Sequence, residues 1–561
     1  MTKSAQSGVI ITPNMESKYW RSHVVYQLYC RSFCDSNGDG IGDIPGIISK
    51  LDYLASLGVG ILWLNPIYAS PQFDMGYDIS DYYSINPEYG TMEDFDLLLS
   101  EAKKRGIRIV MDLVVNHTSS EHSWFKQSKD PSSPYRDFYF WCDGKKKDSK
   151  VPPNNWTSQF SGPAWTYDEE VGKWYLHLYA KEQPDLNWHN PKVLEEVEKI
   201  LRFWLDKGVY GFRCDVINQI WKESLKDGKG HAFTGRGMEH YLMKEGNHKI
   251  LKALYTDVFS HYDTVVIGET YKVDKPNGVK FLTNHELDMF FEFDRTNVDR
   301  RAIPVFKKKF RAKNLRKILY SWQETVEWNA NYLENHDQIR SLPRFGDPKK
   351  HFFESGSALA CLNFCLRGTP FVYQGEEIGM LDLPKSDPAL SQDVTVTTVN
   401  RLMKKMLLPK WLRTHLIWRV NRDNARSPMQ WDDSVSSGFS SSPKTWLPVN
   451  PNYNTINVMR EEKDPHSLLS YYKKLIKLHN ESEILCFGTF RPFETKGDLF
   501  AFSRCLKGKT VLVLVNLGKR KVSVPKGLRK INGHVLLANY ADSKASNVSL
   551  RPYESLIIEL V

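Results

Sequence analysis

Three acidic residues each stand at the end of a short apolar run: Asp215 in GFRCDVIN, Glu269 in VVIGET and Asp337 in YLENHD. Such runs read as parallel strands buried on both faces. In an α/β barrel the residues at strand C-termini gather on one rim, where the chemistry is done. Carboxyls brought together there suit glycoside cleavage, in which one carboxylate attacks the anomeric carbon and a carboxylic acid protonates the departing oxygen. Arg213 precedes Asp215 by two residues, hence on the same strand face, where its charge would favour the ionised carboxylate. Cys214 points to the other face and reads as packing, not as a nucleophilic thiol.

Eight apolar strand candidates could carry these groups: residues 24–29, 60–65, 107–114, 210–216, 264–269, 287–293, 329–335 and 369–375. Amphipathic stretches with helical period lie between most of them, such as Pro45 to Leu57 and Lys192 to Asp206. Eight strands alternating with helices predict an α/β fold of the (β/α)8 TIM-barrel type. The interval after the third strand is long and carries Pro, Ser, Asn, Trp and Tyr without helical period, so residues 117–182 read as an inserted subdomain. A second insertion, from about Met380 to Pro443, holds basic helical stretches around Arg401 to Lys410. Past the helix at 468–479 the pattern turns to short strands, which predicts a C-terminal all-β sandwich domain. The expected organisation is a tail over 1–18, a barrel over 19–116 and 183–482, the insertion over 117–182, and a β domain over 483–561.

Composition narrows the function classes. The chain has 561 residues, 41% hydrophobic and 25% charged, as in an ordinary soluble protein, and is rich in aromatic rings of the kind that line sugar clefts. Its formal charge of +10 is spread along the sequence. The densest basic run, Lys145 to Lys147, reads as a solvated loop, so no nucleic-acid partner is expected. The first twenty residues combine no basic segment with an apolar stretch, so no leader peptide is expected, and no run reaches the roughly 20 apolar residues of a membrane span. The eight cysteines, at 30, 34, 142, 214, 361, 365, 486 and 505, lack metal-type CxxC spacing. They fit reduced thiols in a cytoplasmic protein.

The strings DLVVNH (112–117), QPDLNW (183–188), GFRCDVIN (211–218), GET (268–270) and ENHDQ (334–338) follow one another in this order. Together with VVYQLYCRSF, YQGEEIGM and RDNARSPMQWDD they closely resemble the conserved regions of glycoside hydrolase family 13, the α-amylase superfamily, in its oligo-1,6-glucosidase and α-glucosidase branch. The resemblance implies that Asp215 is the nucleophile, Glu269 the general acid and base, and Asp337 the transition-state stabiliser of a retaining, exo-acting α-glucosidase acting through a covalent glucosyl-enzyme. It further implies that His117 and His336 donate to sugar hydroxyls. Asp74 and Tyr77 would bind the terminal glucose, Arg426 would pair with Asp74 to close the pocket, and Phe160 and Tyr179 would form aromatic walls. Val216, directly after Asp215, resembles the residue of enzymes that prefer α-1,6 bonds, where Thr is typical of α-1,4 preference. Substrates would be isomaltose and short isomalto-oligosaccharides, and the enzyme is expected to work as a monomer.

The string DSNGDGIGD resembles the first part of an EF-hand loop and the calcium loop of this branch. Asp35, Asn37, Asp39 and Asp43 supply oxygens and Ile41 a carbonyl, implying a structural Ca²⁺, or Mg²⁺ in its stead. Rival readings within the superfamily are a sucrose isomerase or transglucosylase, an α-1,4-preferring α-glucosidase and a trehalose-6-phosphate hydrolase. The isomerases' charged loop after strand six is matched only at Asp299 and Arg300. A non-catalytic relative such as an amino-acid transporter heavy chain fits less well, because the acids are retained and no anchor is seen; a simple glucan-binding module is the remaining alternative, which an Asp215→Asn variant that binds and hydrolyses as well as the parent would support. Two positions depart from the family pattern: Cys30 stands where Pro is usual, and Tyr210 where Asp is usual, which puts local strand packing in doubt.

Overall fold

The structure is a computed structural model that describes residues 18–146, 150–231, 235–301, 305–529 and 531–561. Residues 1–17 of the expected tail, and Lys147 of the basic run, lie outside the described residues.

Eight parallel strands form the central sheet: β1 Val25–Leu28, β2 Ile61–Leu64, β3 Arg108–Leu113, β4 Gly211–Cys214, β5 Val265–Thr270, β6 Met289–Glu292, β7 Ala330–Asn331 and β8 Thr369–Tyr373. Their hydrogen-bonded order is β6-β5-β4-β3-β2-β1-β8-β7, so neighbours in sequence are neighbours in space and β1 meets β8. Between β6 and β7 the gap is bridged by side chains. Tyr332 Oη donates to the carbonyl of Glu292 at 2.7 Å, and Arg295 Nη1 to the carbonyl of Tyr332 at 3.3 Å. A helix follows each strand around the outside, the longest being Pro191–Lys207 after β3. That helix starts on the Asn190 side chain, which accepts from Lys192 N, and stops at Gly208, whose φ of 105° suits glycine at a helix C-terminus.

The strands alternate in and out with period two. Val25, Ile61, Trp63, Val110, Val265, Ile267, Met289, Phe291 and Phe371 pack into one interior cluster, while Tyr26, Leu62, Leu64, Val266 and Phe290 face the surrounding helices. Tyr210, at the bottom of β4, is buried in that interior cluster with the Arg108 guanidinium 4.5 Å over its ring. The aromatic ring therefore packs where the family pattern has a carboxylate.

Residues after β3 form a small layer with a three-stranded antiparallel sheet, Trp141–Cys142, Lys173–Leu176 and Trp165–Asp168, around a core that includes Trp156, Trp165 and Trp174. Beyond the last barrel helix, Leu468–Glu481, come β9 Thr489–Pro492, β10 Leu499–Leu506, β11 Lys509–Asn516, β12 Gly533–Ala538 and β13 Ser555–Leu560, in antiparallel order β9-β10-β11-β13-β12. One face of this sheet, with Phe500, Phe502, Val513 and Ile557, joins the barrel's core. The other, with Leu512, Leu514, Leu556 and Ile558, is covered by the ribbon of Val522–Ser523 and Ser549–Leu550. The expected sandwich is thus a five-stranded sheet under a two-stranded one. Among the described residues, no helix is long and apolar enough to cross a membrane.

Candidate active site

Extending the inward alternation past the apolar interior gives the polar layer above it. Gln27 follows Val25, Asn65 follows Trp63, Asp112 follows Val110, Asp215 follows Arg213, and Glu269 follows Ile267. The register sets Asp112 opposite Arg213 and Glu269 opposite Phe291. Arg213, wholly buried, is the hub of the layer. Its Nη1 donates to Asp215 Oδ1 at 2.6 Å and Asp112 Oδ1 at 3.1 Å, and its Nη2 lies 2.8 Å from Glu269 Oε1. Burial pushes the Asp112 carboxyl up to about 7, although Arg213 and Tyr77 pull it down. Burial also raises Asp215 well above the usual carboxylate range against the pull of Arg213, with Glu269 and Asp112 adding to the rise. One guanidinium among three buried carboxyls offsets their mutual repulsion only in part, which adds to the rise at Asp112 and Asp215.

The chain turns sharply after Asp215. Val216 adopts φ 38° and ψ 36°, a left-handed conformation that a β-branched residue rarely takes. The turn aims its N–H at Glu269 Oε2, 3.1 Å away.

Asp337 sits apart, its side chain 28% exposed. Arg426 Nη2 donates to its Oδ1 at 2.8 Å, Arg422 Nη1 reaches the same atom at 3.4 Å, and His336 Nε2 is 3.4 Å from Oδ2. Burial opposes its charge, but these neighbours hold the carboxyl well below its ordinary value. His336 itself is buried neutral, its pKa well below the usual value through desolvation and the nearby arginines, with Asp337 opposing. Gln27 Nε2 sits 2.7 Å from Nδ1, which puts the imidazole proton on Nε2, 2.7 Å from Tyr77 Oη. Tyr77 in turn donates to Asp112 Oδ2 at 3.0 Å, and its ring lies parallel to that of His336. His117 is also neutral, lowered to about 4 by burial, with Nε2 3.0 Å from the Tyr77 carbonyl.

These groups open into one cavity of about 160 Å³, bounded by Asp74, Tyr77, His117, Phe160, Tyr179, Asp215, Val216, Glu269 and Asp337 among others. All three expected catalytic acids and six of the nine expected substrate residues therefore face a single space. Tyr179 stacks obliquely on His117 at 5.2 Å and edge-on against Phe160 at 5.4 Å, which makes the aromatic wall. Arg213, His336 and Arg426 stand behind the wall and hold the acids.

One expected pairing is corrected. Asp74 is bound by Arg422 Nη2, at 3.0 Å, and not by Arg426, whose ion-pair partner is Asp337. Arg422 immediately precedes, and Arg426 ends, a single helical turn, Asp423–Arg426. Arg422, just before it, reaches the cavity and lies 5.3 Å over the Phe160 ring, whereas Arg426, one turn on, lies underneath and donates to the His336 carbonyl. Several site residues had escaped notice: Gln27, Asn65 and Asp112 in the polar layer, Gln183, which bonds the Tyr77 carbonyl at 3.0 Å, and Arg422. The period-two extension of β1, β2 and β3 could have found the first three.

In the 35–43 loop the side chains serve the loop's own backbone. Asp35 accepts from Asn37 N, Gly38 N and Gly40 N, Asn37 from Asp39 N, Asp39 from Ile41 N, and Asp43 from Ser36 N and Gly46 N. Gly38 and Gly40 take the positive φ that the tight turns demand. Among the described residues, no three Asp, Glu, His or Cys side chains converge as a metal-ligand group. The loop's donor set does fit a hard cation in kind, being oxygen throughout: three carboxylates, one amide and one carbonyl.

Comparison with known proteins agrees with this geometry. The family "Alpha amylase, catalytic domain" matches residues 27–488. An oligo-1,6-glucosidase of Parageobacillus thermoglucosidasius is 43% identical, over 97% of this chain and 100% of the relative, and a trehalose-6-phosphate hydrolase of Bacillus subtilis is 40% identical, over 97% and 99%. Among solved structures, the trehalulose synthase of Pseudomonas mesoacidophila is similar with a TM-score of 0.92 at 38% identity, over 97% of this chain and 100% of that one. A barrel rim carrying Asp215, Glu269 and Asp337 and a match over most of the chain lead to one conclusion: the protein belongs to the α-amylase family.

Proposed function

We propose that the protein is a retaining, exo-acting α-glucosidase that removes α-1,6-linked glucose from the non-reducing end of isomaltose and short isomalto-oligosaccharides. The observation that carries the reading is the hold of one guanidinium, that of Arg213, on both Asp215 and Glu269. Carboxyls bound to two nitrogens of the same group support the separation of about 5 to 5.5 Å used in retention rather than the longer one of inversion.

Asp215 attacks the anomeric carbon as the bond to the glycosidic oxygen breaks, and Glu269 gives its proton to that oxygen. A water then gives its proton back to Glu269 and displaces Asp215 from the anomeric carbon, releasing glucose with its configuration retained. Asp337, kept ionised by Arg426 and Arg422, faces the positive charge that develops on the ring. A small cavity closed by the Asp74–Arg422 pair supports removal of a single terminal unit. The apolar Val216 wall and several relatives named oligo-1,6-glucosidase support the α-1,6 preference. Asp299 and Arg300, the two residues shared with the isomerase loop, are engaged with Arg344 and Gln338 respectively.

Incubation with isomaltose, maltose, sucrose and trehalose 6-phosphate, followed by product chromatography, tests the assignment. Isomaltose should be the best substrate and glucose its product. Trehalulose or isomaltulose from sucrose, or a preference for trehalose 6-phosphate, would overturn it.

The 35–43 loop is further proposed to take Ca²⁺, or Mg²⁺, through Asp35, Asn37, Asp39, Asp43 and the Ile41 carbonyl, tying the start of the first barrel helix to the loop. Chelation should lower Tm and added CaCl₂ restore it, with Asp39→Ala insensitive to both. We also propose a monomer in a reducing, cytoplasmic setting, the setting being supported by eight cysteines with no disulfide among them. Sedimentation velocity tests the monomer.

A further inference from the structure

The second insertion contains a helical hairpin, Val394–Lys405 and Lys410–Trp418, whose tip is unlike the rest of the surface. The hairpin has its own buried core, in which Val396, Met403, Leu416 and Ile417 meet. Four large apolar side chains are nevertheless left outside it: Leu407 at 89% exposure, Leu390 at 72%, Trp411 at 71% and Met406 at 59%. Leu407 occupies the left-handed position that ends the first helix, with φ 59°, its N–H on Lys404 O and the next N–H on Met403 O. Glycine is the relaxed choice there, so neither the turn nor the core accounts for a leucine pointing into water. Lys385, Arg401, Lys404, Lys405 and Lys410 are all exposed along the same segment, Lys410 being paired with Asp387. Between residues 382 and 418 the acids are already engaged: Asp387 by Lys410, Asp382 by the Arg340 N–H, and Asp393 by Arg422.

We propose that this tip docks on an anionic lipid surface. Charge decides between occupants: a second copy of a chain with net charge +10 presents the same cations and is repelled. An anionic bilayer supplies both terms the tip offers, attraction for lysines near the surface and an interface that takes up Trp and Leu side chains standing clear of the protein. The inference is independent of the sugar specificity proposed above, since none of the tip residues lines the cavity.

The test is co-sedimentation of the full-length enzyme with vesicles of phosphatidylcholine alone and of phosphatidylcholine mixed with phosphatidylglycerol. Binding is expected to the mixed vesicles only and to weaken as salt rises. Leu407→Glu/Trp411→Glu and Lys404→Glu/Lys405→Glu should each reduce that binding about tenfold or more, with hydrolysis of a soluble glucoside unchanged. No binding to either vesicle, or equal binding to both, overturns the proposal. So does a dimer in sedimentation velocity that the same substitutions dissolve, or binding to soluble polyglutamate in the absence of any for the mixed vesicles.

Discussion

The backbone N–H of Val216 lies 3.1 Å from Oε2 of Glu269, so the residue after the expected nucleophile also positions the expected acid. The contact requires Val216 to keep a left-handed conformation, which costs a β-branched residue on the order of 1–3 kcal/mol. Val216→Thr keeps both the N–H and the branched shape and changes only the chemistry of the wall. The ratio of kcat/KM on isomaltose to that on maltose should fall roughly 10-fold, within the about 1–3 kcal/mol available to small pocket differences. Parallel kinetics on the two disaccharides decide it, and a parent enzyme that strongly favours maltose removes the α-1,6 assignment.

Separate losses are expected from the two carboxyls held by Arg213. Glu269→Gln can still accept from Val216 N–H but has no proton to give, so kcat/KM on isomaltose should drop about 10²–10⁴-fold. An aryl glucoside with a good leaving group needs less protonation and should still show a burst of phenol as the ester forms. Asp215→Asn should abolish both signals. Proton NMR of the wild-type reaction should show α-glucose first; β-glucose as the first product would falsify the double displacement.

Asp112 gives the site a pH signature. Its carboxyl stands at about 7 in the folded protein against a reference near 3.8, chiefly through burial. Between those values the native state holds a proton that the unfolded chain has released, so this group's contribution to stability falls as pH rises through that window and is level below it. In Asp112→Asn the contribution is gone. The decline of Tm between about pH 4 and pH 7 should therefore be shallower in the variant than in the parent, as scanning calorimetry at several pH values would show.

The barrel was legible because its strands are continuous apolar runs between amphipathic helices, a pattern that local sequence carries in full. So were the acids, each standing directly past such a run. Gln27, Asn65 and Asp112 follow from the same alternation once the inward face is known, but a lone Gln or Asn at a strand end carries no chemical signal of its own. Gln183 and Arg422 were beyond reach for another reason. They arrive from long excursions after β3 and β8, and no period in the sequence states where such a segment returns. The choice between Arg422 and Arg426 as partner of Asp74 turned on the phase of one helical turn within a single string.

Asp393 makes that last relationship testable. It lies wholly buried at the foot of the hairpin, where its Oδ1 accepts from Thr395 N and from Arg422 Nη2, both at 2.9 Å, and its Oδ2 from Arg422 N at 3.0 Å. The same Arg422 nitrogen holds Asp74, and the other terminal nitrogen reaches Asp337. Asp393 thus touches no substrate but aims the guanidinium that does the closing. Asp393→Asn retains the helix cap and removes the charge, so Arg422 should lose its fixed direction. KM for isomaltose is expected to rise about 10-fold with a smaller change in kcat, the pattern of lost uniform binding. Asp393→Ala should add a loss of about 1 kcal/mol in stability from the missing cap. If both variants lose Tm while KM stays at the parental value, Asp393 merely supports the hairpin and Arg422 needs no second anchor to close the pocket.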